Sequence, residues 1–465
     1  MIDSYHRDSE GHPYNRTFMV IALVFGAFTT TLSETLLNNA LPAIMRSFNI
    51  VQSQVQWLST GYLLVVGIMI PISAALINNF KTKRLFIVTM LLFLVGNIIS
   101  FSADSFAILL FGRLVQAVSV GIMMPFVTNL MTLIFPPEKR GSAMGITGII
   151  VALAPAIGPT LSGYIVDTFS WHLLFGILIP IAALSVVLGA FGVKNVMKVS
   201  KNKVDLFSVI TSTFGFGSLL YSFSNIGNTG SIDLVTTISF IIGLILIVVF
   251  MRRQLKIKIP LLNLQVFKSS VYTITTIIGG ISNIALLGVE LILPLYMQNV
   301  RGDTALVAGL VMLPGAIMMG IMNPIAGRLF DQYGGKKMGL ISLAVLTITT
   351  IPFGFMTNRT SIVLIAILYA FRMMAVSFIM MPMSTMGINA LPFKLITHGN
   401  AITTMSRQIA ASMGTAILVS LINVVTNLKG NSANLQSGYH VAFLVTVIFS
   451  LIGLILTARI KEKSN

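Results

Sequence analysis

The sequence predicts an all-α polytopic membrane protein with fourteen transmembrane helices, and three observations predict it. Of its 465 residues, 55% are hydrophobic and only 9% are charged, giving a mean hydropathy of +0.92 that no water-soluble domain of this size sustains. Apolar runs recur along the whole chain, each long enough to cross a hydrocarbon core of about 30 Å, which takes roughly 20 residues of helix. Lysine and arginine gather in alternate polar breaks between those runs, as they do when a chain is threaded back and forth. A barrel is excluded, because its strands would read as alternating segments of about 10 residues.

Taken in order, the spans fall near 17–43, 55–78, 85–103, 106–134, 141–166, 172–193, 205–226, 233–251, 271–298, 304–330, 338–357, 361–388, 396–426 and 439–459. The polar stretch before Phe18, MIDSYHRDSEGHPYNR, shows no small-residue cleavage site, so the first span is expected to stay and insert the chain. There is no cysteine, which removes disulfides and thiolate chemistry. Trp57 and Tyr62 open the second span on its outer side, where an aromatic-belt position is expected.

Twenty-three lysines and arginines lie on the side that holds the N-terminus, and only Arg46, Arg301, Arg359 and Lys429 lie on the other. The positive-inside rule therefore places both termini in the cytoplasm of a multi-pass protein of the inner cell membrane. It also accounts for most of the formal charge of +17. No soluble domain is left to offer a basic face to nucleic acid.

The chain repeats itself. PISAALINNFKTKR from Pro71 aligns with PIAGRLFDQYGGKK from Pro324 at a constant offset, pairing Pro71 with Pro324, Leu76 with Leu329 and Lys83 with Lys336. AVSVGIMMP, Ala117 to Pro125, aligns with AVSFIMMP, Ala375 to Pro382, once one residue is skipped. The expected organisation is a cytoplasmic tail (1–16), a six-helix half (17–193), connectors with two inserted helices (194–269), a second six-helix half (270–460) and a cytoplasmic tail (461–465). Paired halves of this kind imply alternating access by rocking. The amphipathic LKIKIPLLNLQVFKSS from Leu255 is expected to run along the membrane interface.

These residues resemble the major facilitator superfamily, and within it the fourteen-span drug:proton antiporters. GRLFDQYGGKK, Gly327 to Lys337, is similar to the family's loop between the second and third helices of a half, G-x-L-x-D-x-x-G-x-[RK]. That resemblance marks Gly327, Asp331, Gly334 and Lys336 as gating residues. The first-half copy departs from the pattern, with Ala74 for a glycine, Asn78 for the aspartate and Lys81 for the second glycine. FGRLVQAVSVGIMMP, from Phe111, resembles the fourth-helix motif with its embedded arginine, and implies a part in proton coupling for Arg113 with Gln116. APAIGPTLSG, Ala154 to Gly163, resembles the fifth-helix motif of exporters, with Pro155, Gly158 and Pro159 as hinge residues. LSETLLNNALP is similar to the signature L-D-x-T-[IV]-V-N-x-A-L-P, except that Ser33 holds the aspartate position and Glu34 follows it. Lincosamide-type antibiotics are plausible cargo by this resemblance alone.

Of thirteen acids, only Glu34 and Glu290 lie well inside spans. A carboxylate costs about 2.5 to 3.5 kcal/mol at a helix centre on insertion scales, so each is a candidate proton carrier; a glutamate snorkelling to the outer interface is the alternative. Their separation of 256 matches the repeat and puts both on the first helix of a half. Asn38 and Asn39 with Glu34, and Asn283 with Glu290, are candidates for lining a substrate path, against the alternative of interhelical hydrogen bonds. Gln116 is a further candidate there. Arg113, Arg372 and Arg407 are embedded cations, each needing a carboxylate, backbone carbonyls or water; the last two join the substrate-binding candidates, with a purely structural role as the alternative. The phenylalanines and methionines offer an adaptable wall or simply pack and face lipid.

Neither a metal cluster, a nucleophile with its base, nor a nucleotide fingerprint is found. The expected function is proton-driven export of amphipathic or cationic drug-like compounds by a monomer in the bilayer, without cofactor or catalysis. A lipid or lipid-precursor flippase and a proton-coupled nutrient importer are the alternatives.

Overall fold

The computed structural model describes residues 7–37, 40–50, 52–55, 57–197, 199, 205–229, 233–428 and 433–460. In chain order the helices are α1 (Arg16–Leu36), α2 (Leu41–Phe48), α3 (Gln52–Val55), α4 (Trp57–Asn79), α5 (Thr82–Phe101), α6 (Phe106–Ile134), α7 (Arg140–Thr168) and α8 (Leu173–Gly192). They continue as α9 (Leu206–Thr229), α10 (Leu234–Lys256), α11 (Ser270–Asn299), α12 (Ala305–Tyr333), α13 (Gly335–Thr350), α14 (Ile362–Asn389), α15 (Ile396–Leu428) and α16 (Ala433–Ala458). Among the described residues, thirteen helices are long and apolar enough to cross a membrane. The expected fifth span coincides with the 29 residues of α7, several of whose side chains lie outside the description.

Helix starts follow from short polar side chains placed just ahead of the apolar runs, where they accept orphan backbone N–H groups. Asn15 accepts the Phe18 N–H at 3.0 Å, Asp233 that of Thr236 at 2.7 Å and Thr304 that of Val307 at 3.3 Å. Polar residues inside spans are satisfied within their own helix: Thr29, Thr30 and Thr31 donate to the carbonyls of Phe25 and Ala27 at 2.8, 2.9 and 2.9 Å.

The first expected span, 17–43, is shorter than its apolar run suggested. α1 ends at Leu36, and Leu41 starts the separate α2 with Pro42 in its first turn. Proline in the first turn suits a helix start, because the N–H it lacks has no partner there in any case.

The chain forms two compact units. The first comprises the described residues of Met1–Pro137, Ile150–Gly217 and Leu246–Asn263; the second comprises those of Glu138–Ile149, Ser218–Ile245 and Leu264–Asn465. In the first unit α6 packs on α4 and α5, and α8 packs on α5 and α1, with Phe86, Phe93, Phe126 and Phe175 fully buried between them. In the second, α14 packs on α11, α12 and α13, and α15 and α16 pack on α11.

The amphipathic stretch after α10 divides its apolar side chains. Leu261, Leu262 and Val266 are buried in the protein, while Leu255, Ile259 and Phe267 remain exposed. Leu262 is held by its backbone N–H, which donates to Gln254 Oε1 at 3.2 Å.

The start of α9 is tied to the end of α10. Asp205 caps α9 by accepting the Ser208 N–H at 3.2 Å and its hydroxyl at 2.6 Å, and it also accepts Arg253 Nε at 2.6 Å and Nη2 at 2.9 Å. These charge-assisted bonds, the Arg253 fork first, hold the Asp205 carboxyl well below the usual carboxylate range. Because the folded pKa is depressed, the stabilisation is complete above about pH 4, where the unfolded carboxyl ionises, and fades as pH falls below that. Asp205→Asn is expected to lower the thermal stability of the purified protein by about 1 kcal/mol or less near neutral pH. The difference from wild type should shrink in melts run at progressively more acid pH.

Candidate functional site

Ser33 and Glu34 leave α1 about 100° apart because they are consecutive. That rotation decides which of them meets the arginine of α6. Arg113 is 1% exposed and Ser33 equally so, and the Arg113 Nη1 donates to the Ser33 carbonyl at 3.2 Å, the Ser33 hydroxyl at 3.0 Å and Gln116 Oε1 at 2.7 Å. Gln116, one turn along α6, turns its Nε2 to Asn97 Oδ1 at 3.1 Å, and Asn97 Nδ2 closes the network on the Phe93 carbonyl at 2.8 Å. The guanidinium carbon lies 3.9 Å from the centre of the Tyr62 ring.

Glu34 stands half-buried beside this network. It acts on Arg113 through its field, while the hydrogen bonds of Arg113 among the described residues go to neutral groups. The position that the resembling signature gives to an aspartate is thus the one that touches the arginine, and here it holds a hydroxyl. The acid is left within electrostatic reach of the arginine and partly exposed.

Tyr62 corrects an expectation. It is 1% exposed and lies under Arg113, since a cation in an apolar bundle is stabilised by an aromatic face. Trp57, at the start of α4, is 44% exposed.

The second unit carries a similar arrangement. Arg372 of α14 is fully buried, and its Nη2 donates to the Ala285 carbonyl of α11. Its Nε and Nη1 have no hydrogen-bond partner among the described residues. Glu290, half-buried on α11, acts electrostatically on both Arg372 and Tyr369, one turn before it. In both repeats, therefore, an acid on the first helix accompanies an arginine on the fourth.

Arg407 of α15 makes a different contact, and its Nε has no hydrogen-bond partner among the described residues. Its Nη2 donates to the Met380 carbonyl at 2.7 Å, and its own carbonyl accepts Asn283 Nδ2 at 2.9 Å. Asn283 thus fastens α11 to α15. Asn38 and Asn39 lie outside the described residues, as do the side chains of Pro155 and Pro159; Gly158 is buried in α7.

The loop residues singled out around Asp331 converge on the start of α7. The Asp331 carboxylate accepts the Gly141 N–H at 2.8 Å, the Ser142 N–H at 2.9 Å and the Ser142 hydroxyl at 2.6 Å. A charge placed there answers two orphan donors and the positive end of the helix dipole together. Gly327 lets the backbones meet: a Cβ on it would overlap the Gly141 carbonyl. Gly334 has φ +78° and ψ 170°, a conformation essentially reserved for glycine. Lys336 Nζ donates to the Ile460 carbonyl at 2.6 Å, beyond the end of α16. Asn78 is half-buried near the end of α4. Spacing gave no sign of Asn323, whose Nδ2 donates to the Gly148 carbonyl at 2.8 Å.

The family model of the Major Facilitator Superfamily matches residues 23–415. The chain belongs to that superfamily. It is 43% identical over 459 residues to the uncharacterized MFS-type transporter YcnB of Bacillus subtilis (strain 168), covering 97% of each chain. Over 451 residues it is 39% identical to the lincomycin resistance protein LmrB of the same organism, covering 94% of each. Among solved structures it resembles the proton:xylose symporter XylE bound to 6-bromo-6-deoxy-D-glucose, with a TM-score of 0.66 over 94% of this chain and 95% of that one. At 12% identity that likeness concerns the fold alone. The chain is accordingly a multi-pass membrane transporter of small molecules, not an enzyme.

The close approach of Gly327 to α7 is testable. Gly327→Ala is expected to destabilise the detergent-solubilised protein by about 1 to 3 kcal/mol, the usual cost of overpacking. Gly309→Ala on the same helix, where a Cβ meets nothing within 4 Å, should leave the melting temperature nearly unchanged.

Proposed function

We propose that the chain exports amphipathic or cationic drug-like compounds across the cytoplasmic membrane in exchange for protons, with both termini in the cytoplasm. The observation that carries this reading is the acid and arginine found in each repeat: Glu34 beside Arg113 and Glu290 beside Arg372. The similarity to a lincomycin resistance protein supports export and makes lincomycin the first cargo to test.

Glu34 is the proton carrier of the first half and Glu290 that of the second. When Glu34 is protonated, its field on Arg113 is removed, and the guanidinium rests on Ser33, Gln116 and the Tyr62 ring, which are neutral and already in place. Proton loss restores a carboxylate that a cationic or strongly polar substrate can face. Alternation between these states drives rocking of two six-helix halves, 17–193 and 270–460, joined through 194–269. Asp331, by capping α7, holds the cytoplasmic end closed until the substrate-loaded state releases it. The proton gradient is the energy source, no cofactor is required, and a single chain contains both repeats needed.

The test is efflux in inverted membrane vesicles energised by a pH gradient, with lincomycin and a panel of amphipathic drugs. Glu34→Gln is expected to reduce gradient-driven efflux to the level of vesicles lacking the protein. Undiminished efflux, with drug-dependent proton release intact, contradicts the assignment.

A further inference from the structure

Lys81, Lys83 and Arg84, at the turn from α4 into α5, line a cavity of about 310 Å³ together with Ile87, Val88 and Asn195. Its wall is fixed by one asparagine. Asn195 Oδ1 accepts the Lys83 backbone N–H at 3.1 Å, and the Asn195 carbonyl accepts the Ser9 N–H at 2.7 Å, so the N-terminal tail, this turn and the segment after α8 meet there.

The recess is rimmed by three cations around a mostly apolar lining. Among the described residues no acid lines it, and none of the three side-chain cations has a hydrogen bond or ion pair there. The repeat sharpens the point. Lys336, the counterpart of Lys83, is engaged internally on the Ile460 carbonyl, whereas the Lys83 ammonium is available. Lys81 adds a further cation where the second-half loop has Gly334.

Below the cations α5 presents an apolar face. Val88, Leu91, Val95 and Ile98 are 45, 42, 46 and 46% exposed, and with Arg84 they follow the i, i+4, i+7, i+11, i+14 spacing of one helix side. A cationic recess above a lipid-facing apolar stripe matches the two parts of an anionic phospholipid, its phosphate headgroup and its acyl chain. Basic pockets between membrane helices bind such headgroups. A free phosphate would satisfy the recess and leave the stripe unused; a zwitterionic lipid would bring its own cation into a site that already holds three.

We propose that this cavity binds the headgroup of an anionic phospholipid, with an acyl chain lying along Val88, Leu91, Val95 and Ile98. The test uses the purified full-length protein in mild detergent, with lipid retained per protein counted by native mass spectrometry after incubation with phosphatidylglycerol or phosphatidylcholine. Phosphatidylglycerol is expected to be retained in preference. Retention should fall several-fold in the combined variant Lys81→Gln, Lys83→Gln, Arg84→Gln and stay unchanged in the control Arg252→Gln, Lys256→Gln, Lys258→Gln. Should the triple variant fail to accumulate, Lys83→Gln alone is expected to weaken retention measurably, because the bond to Asn195 uses only the backbone. Equal retention of the two lipids, or equal retention by wild type and cavity variant, overturns the proposal. So does a thermal shift of wild type with inorganic phosphate as large as that with phosphatidylglycerol, which assigns the recess to free phosphate.

Discussion

A guanidinium buried among apolar helices has to have its charge and its donors answered from inside the bundle, since lipid offers neither water nor counter-ions. Arg113 imposes that requirement on four helices at once: α1 through Ser33, α4 through the Tyr62 ring, α6 through Gln116, and α5 through Asn97 beyond it. Arg372 does the same with less, taking a backbone carbonyl of α11 and the field of Glu290. The hydrogen-bond partners of Arg113 among the described residues are neutral, so that network does not run through Glu34. A carboxylate hydrogen-bonded directly to the arginine would be held ionised by it.

Hydropathy made the spans legible, because a helix in lipid must be apolar on nearly every side and its length is set by the bilayer. The loop aspartate and the Arg113–Gln116 pair were legible by resemblance, and each has a defined partner. What the sequence did not disclose are contacts between residues far apart in the chain. Nothing in the spacing of Tyr62 distinguishes a belt tyrosine from one lying under Arg113, and nothing around Asn97 or Asn323 says which helix it will meet. Ser33, a departure from the signature, is the residue whose hydroxyl meets the arginine. Composition overruns the end of α1, because apolar residues continue past Leu36 while the helix does not. Asn283 resolved toward the interhelical alternative because its amide reaches the backbone of α15 before anything else.

The two loops of the repeat have diverged in a physically coherent way. In the second, glycines at 327 and 334 permit a backbone contact and a sharp turn, and Asp331 uses them to reach the start of α7. In the first, Asn78 carries no charge with which to do the same, and Lys81, Lys83 and Arg84 turn the loop into a cationic surface. One loop is organised around an internal anion and the other around three cations.

Ser33 takes the hydrogen bonds of Arg113 in place of an acid, and the proposed proton exchange at Glu34 rests on that substitution. The most direct measurement is the number of protons released when a transported drug binds the purified protein in weakly buffered detergent, read with a pH-indicator dye. Wild type should release protons on binding. Ser33→Asp, which restores an acid in contact with Arg113, should bind drug with a changed pH dependence of that release, and Glu34→Gln should bind drug and release none. Proton release from Glu34→Gln equal to that of wild type contradicts the account.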